Sequence, residues 1–122
     1  MDQRPLSPHI SIYRPQITSV LSILHRFTGI GLVIGAVVFC IGFLAFALGE
    51  SYWRFFCDAW HMIGGSLWQW CIIFSLHFHA LNGIRHLFWD MGKGFELTTL
   101  TRTGYIVVGL SVFLTGILMF SS

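Results

Sequence analysis

Two groups of polar residues carry whatever chemistry this 122-residue chain performs: Ser22, His25 and Arg26, and further on His79, Asn82, Arg85, His86 and Asp90. On a helix, spacings of three and four bring the hydroxyl, imidazole and guanidinium of the first group onto adjoining parts of one face. An imidazole can ligate a metal or move a proton, a hydroxyl can bond a carbonyl oxygen, and a guanidinium can stabilise an anion. The setting is apolar: 55% of the chain is hydrophobic and 10% is charged. Polar groups held in hydrocarbon are costly unless they are paired or used, so each is a candidate for function.

These groups need long helices to position them. A helix must run about 20 apolar residues to cross the hydrocarbon core. By that test the sequence predicts an all-α membrane protein with one domain and three transmembrane spans, at 19–48, 63–88 and 104–120, preceded by a polar N-terminal extension, 1–18, containing Pro5, Pro8 and Pro15. Residues 1–14 lack the pattern of a cleavable signal peptide. Six of the seven basic residues (Arg4, Arg14, Arg26, Arg85, Lys93, Arg102) fall before or within the start of span one, or between the core of span two and span three. Only Arg54 lies between spans one and two, which puts the N-terminus inside and the C-terminus outside. Tyr52, Trp53, Trp60, Trp68, Trp70, Trp89 and Tyr105 cluster near segment ends, as rings at headgroup level do. Cys40, Cys57 and Cys71 have neither CxxC nor zinc-ligand spacing and read as small packing residues. Gly31 and Gly35 of span one stand in a GxxxG relation, suited to close helix packing or to contact with a flat cofactor.

Counting along antiparallel spans at about 1.5 Å per residue places Ser22 to Arg26, Arg85 and His86 near the inner boundary and His79 roughly 15 Å deep. Two readings of His79 are open: an imidazole bonded across to a neighbouring helix, or an axial ligand to haem iron. Gly83, one turn on, clears space on the same face. His86 is about 10 Å from His79 along the axis, too far to share an iron with it, so a second ligand must come from another helix. His25 and a histidine of a partner subunit are both candidates. His77 points away from His79, toward packing or a partner. Arg85 is suited either to snorkelling or to binding an anion, and Asp90 to neutralising Arg85 or His86 or to a solvated helix end. Three helices alone cannot shield so many polar groups from lipid, which implies a membrane partner and leaves no role for nucleic acid.

RPLSPHISIYRPQITSVLSILHRFTG over 4–29 and HALNGIRHLFWD over 79–90 together resemble the cytochrome b membrane subunit of succinate dehydrogenase, across essentially the whole chain. The resemblance implies half of a six-helix haem-binding bundle within respiratory complex II, in a bacterial inner membrane or a mitochondrial one. The partners it implies are a second small three-helix anchor supplying the other haem ligand, an iron-sulfur subunit and a flavoprotein. It implies haem b with His79 as axial ligand, ubiquinone at Ser22 and Arg26, His25 and Arg85 near the haem propionates, and an N-terminal extension docking the soluble subunits. The chain would pass electrons to ubiquinone without itself oxidising succinate. Alternatives are the anchor of a quinone-linked fumarate reductase and a small transporter subunit; the absence of titratable residues from the outer half of every span argues against the transporter.

Overall fold

The computed structural model of the protein describes residues 14–121, so the expected docking surface of the N-terminal extension lies largely outside the described residues. Four helices follow one another: α1, Ile17–Leu48; α2, Glu50–Met62; α3, Gly65–Asp90; and α4, Leu97–Ser121. There is no strand among the described residues. α1 begins just after Pro15, whose ring suits an extended entry into a helix rather than its interior. Its 32 residues would reach about 48 Å. By length and composition, α1 and α4 are apolar enough to cross a membrane. α3 is long enough, with 26 residues, but its histidines, Asn82 and Arg85 dilute its hydropathy.

The segment taken from sequence as a connection between the first two spans is largely the helix α2. Its aromatic residues Trp53, Phe56 and Trp60 recur at helical spacing, and Glu50, Arg54, Asp58 and His61 occupy other faces. The three rings stack in series, with centroids 5.8 and 6.3 Å apart. Arg54 pairs with Glu50 one turn back along the exposed side. Gly49 and Gly64 bound this helix at φ 118° and 74°, backbone values that a side chain would strain. Two sharp turns thus lay an amphipathic helix across the ends of α1 and α3.

α1 and α3 pack antiparallel in a steady register. Across it Gly29 faces His79, Gly31 faces Ser75 and Gly35 faces Ile72. A Cβ on Gly35 would lie 3.1 Å from Ile72, so the Gly31 and Gly35 pair serves helix packing. α4 closes against both helices through a small core of Leu21, Phe78 and Val107. Most other apolar side chains face outward, with Phe39 73% and Phe113 62% exposed, as suits a protein whose solvent is lipid. Cys40 and Cys71 also face outward rather than into the packing expected of them, because they lie on faces of α1 and α3 that no other described helix covers.

A Cβ on Gly104 would sit 2.8 Å from Cδ1 of the enclosed Leu21. Gly104→Val is therefore expected to destabilise the α1–α4 contact by about 1–3 kcal/mol, the usual cost of overpacking. A lowered thermal midpoint of the detergent-solubilised protein checks this; an unchanged midpoint contradicts the described packing.

Candidate functional site

The register that brings glycines of one helix opposite side chains of the other has a particular result at the histidines. His25 and Gly29 are four apart on α1, and His79 and Gly83 are four apart on α3. In antiparallel packing each histidine then lies over the other helix's glycine. A Cβ on Gly29 would come within 3.0 Å of the His79 ring, and one on Gly83 within 3.8 Å of the His25 ring. The imidazoles of His25 and His79 lie face to face, with centroids 3.8 Å apart and planes within 8°. His86 extends the stack from the other side of His25, at 5.0 Å.

This corrects the depth expected from counting along the helices, which placed His25 well below His79. Register between helices is set by where small and large residues interlock, not by distance from helix ends. The same geometry bears on the second axial ligand. Parallel rings 3.8 Å apart leave no room for a porphyrin between them, so His25 and His79 cannot grip one iron from opposite sides in this arrangement.

Hydrogen bonds fix the state of His79. The carbonyl of His25 accepts from its Nδ1–H at 3.0 Å. Thr28 Oγ1 lies 3.3 Å from the same nitrogen. The Thr28 hydroxyl gives its own proton to the carbonyls of Leu24 and His25, each at 2.9 Å, so its oxygen is the acceptor for His79. With the proton held on Nδ1, Nε2 carries a lone pair, and it has no hydrogen bond among the described residues. A lone pair oriented in this way suits one axial position on haem iron. His25 Nδ1 and Asn82 Nδ2 are enclosed polar atoms without partners, a sign that this region takes a further polar group. The residues fit a haem on one side.

Arg85 is 5% exposed, so it is not snorkelling. Its Nε donates to Thr103 Oγ1 at 3.1 Å and one terminal nitrogen donates to the Leu100 carbonyl at 2.8 Å. The other approaches Asn82 Oδ1 at 3.5 Å. The guanidinium also lies over the Trp89 ring, 4.2 Å from its centroid. Asp90 is exposed and pairs with neither Arg85 nor His86 among the described residues. His86 instead donates from Nδ1 to the Asn82 carbonyl at 2.7 Å. His77 turns to α4, with Nδ1 2.9 Å from Thr115 Oγ1, which makes it a packing contact.

Ser22 is half-buried and Arg26 exposed on α1, next to His25, and neither has a hydrogen-bond partner among the described residues. Both are therefore free to meet a ligand. Thr28, Gly29 and Thr103 are the site residues that sequence reasoning passed over. The signal for Gly29 was present: the spacing His-x-x-x-Gly occurs once in each of two helices expected to run antiparallel.

A model of the family described as "Succinate dehydrogenase/Fumarate reductase transmembrane subunit" matches residues 1–118. The chain is 40% identical over 118 residues to the succinate dehydrogenase cytochrome b556 subunit of Rickettsia bellii, covering 93% of this chain and 89% of that one. It is 38% identical over 119 residues to the same subunit of Rickettsia prowazekii, covering 96% and 91%. To the mitochondrial cytochrome b560 subunit of Sus scrofa it is 40% identical over 113 residues, covering 89% of this chain and 66% of that one.

Thr103→Val keeps the shape at Arg85 but removes an acceptor from a buried cation. It is expected to cost about 1–3 kcal/mol, the penalty for stranding a buried donor, whereas Thr103→Ser should behave as the parent. Thermal midpoints in detergent distinguish the two; equal midpoints would mean that Arg85 does not depend on the Thr103 hydroxyl.

Proposed function

Since the chain belongs to the succinate dehydrogenase/fumarate reductase transmembrane subunit family, we propose that it is the cytochrome b membrane-anchor subunit of succinate dehydrogenase, carrying electrons from an iron-sulfur subunit to ubiquinone at the inner face of an inner membrane. In this reading α1, α3 and α4 are three crossings of a single membrane-anchor domain, with the start of α1 inside and the end of α4 outside. α2 lies along the outer surface. Membership of this family stands in place of the transporter reading, and the rickettsial and mitochondrial relatives agree with an inner-membrane location.

The partners are a flavoprotein, an iron-sulfur subunit docked with the help of residues 1–18, and a second three-helix anchor that completes a six-helix bundle. The outward apolar faces and the unpartnered polar atoms of α1 and α3 support that second anchor. His79 would hold haem b through Nε2, with the other ligand coming from the partner anchor; the stacking of His25 on His79 supports that division. The bound haem supplies a one-electron reservoir beside the quinone. The single observation that carries the reading is the His79 imidazole, held by His25 and Thr28 with its Nε2 lone pair free.

Ser22 and Arg26 receive the quinone headgroup. The Ser22 hydroxyl donates to a quinone carbonyl, and the Arg26 guanidinium stabilises the negative charge that develops on that oxygen as electrons arrive, a preorganised electrostatic role. Two protons complete ubiquinol. His25, level with both and stacked on His79, lies between the quinone residues and the haem ligand. Arg85 is already bonded within the chain to Thr103, Leu100 and Asn82, so a part at a propionate would require it to share or exchange those acceptors.

The test is a reduced-minus-oxidised visible spectrum of the complex purified with its native partners. His79→Leu is expected to abolish the b-type bands. Ser22→Ala should leave the bands in place and lower quinone reduction roughly tenfold, the loss of one hydrogen bond to the substrate. Intact bands in the His79 variant would end the ligand assignment, and unimpaired quinone reduction in the Ser22 variant would end the quinone assignment.

A further inference from the structure

Thr28 looks at first like an ordinary threonine in an apolar helix, its hydroxyl bonded back to its own backbone. Its position is less ordinary. It is 9% exposed, next to Gly29, and Gly29 is the residue whose missing side chain admits the His79 ring to α1. The hydroxyl proton is committed to Leu24 and His25, so the oxygen's lone pairs face across the helix interface at His79 Nδ1. The His25 carbonyl, one turn earlier, faces the same nitrogen. Two acceptors thus share one N–H.

We infer that Thr28 is a positioning residue that tunes the haem-binding strength and electronic character of His79 through its Nδ1–H. This rests on the reading of His79 as an axial ligand. The physical basis is general: an acceptor on the far nitrogen of a ligating imidazole fixes its tautomer and ring orientation and raises its basicity. A more basic ligand favours the ferric over the ferrous state and lowers the reduction potential. Thr28 also holds the ring against rotation about Cβ–Cγ, because an imidazole gripped by two acceptors from one helix cannot turn without losing both. Serine keeps the oxygen; valine keeps the shape and loses it. Those two substitutions separate hydrogen bonding from packing.

The experiment uses the assembled complex and reads haem content, the haem midpoint potential by optical redox titration, and the electron paramagnetic resonance spectrum of the ferric haem. Thr28→Val is expected to shift the midpoint to a more positive value and to alter the ferric g-values, with Thr28→Ser at the parental values. The shift is partial, since the His25 carbonyl still accepts. Thr28→Ala, which also lacks the oxygen, should move the potential in the same direction and serves if the valine complex fails to assemble. Parental potential and g-values in an oxygen-free variant would overturn the role of Thr28. If His79→Leu kept its b-type bands, the ligand assignment itself would fail, and that result is distinct from a Thr28 variant that binds haem with unchanged properties.

Discussion

The close approach of α1 and α3 at the histidines is the constraint from which the rest of the site follows. Each helix offers a glycine where the other offers an imidazole, so the backbones can come near enough for the His25 carbonyl to accept from His79. With a side chain at Gly29 the His79 ring would be pushed off that carbonyl, and with it would go the fixed tautomer and the stack with His25. The arrangement costs the helices little in an apolar medium. Hydrocarbon provides no hydrophobic force between helices, and small residues that allow close packing are one of the few means of association left to them.

A second constraint is the satisfaction of polar atoms away from water. The chain solves it unevenly. Arg85 finds a hydroxyl, a carbonyl and an aromatic face, nearly all from residues close in sequence or on α4. His86, Ser75 and Ser111 bond back to carbonyls one turn earlier, which neutralises their polarity within a single helix. Ser22, Arg26 and the enclosed nitrogens of His25 and Asn82 are left over. The polar atoms that the chain itself leaves unsatisfied are thus gathered around the histidine stack and the start of α1.

Much of this was legible in the sequence. α1 and α4 follow from apolar length, and the two polar clusters follow from the cost of such residues in hydrocarbon. α2 was not, since a 13-residue amphipathic helix is too short and too polar to register as a span. The partner of Arg85 was sought among acids, yet its acceptors are a hydroxyl and a main-chain carbonyl, which no pattern of charges reveals. Nor could counting residues along two helices bring His25 beside His79. That meeting depends on interlocking of glycines and rings across the interface, which is tertiary information even though its ingredients, two His-x-x-x-Gly spacings, are plain in the chain.

The dependence of Arg85 on Leu100 and Thr103 has a consequence for biosynthesis. The histidine stack needs only α1 and α3, which are complete once residue 90 has been made. The guanidinium on α3 must wait for the start of α4 before its main acceptors exist. A nascent chain halted between these helices would hold a ready-made imidazole site beside an unanswered cation, at a cost of several kcal/mol in lipid. Arrival of the last helix then does more than extend the apolar packing: it brings the hydroxyl and carbonyl acceptors that α1 and α3 cannot offer to the buried guanidinium.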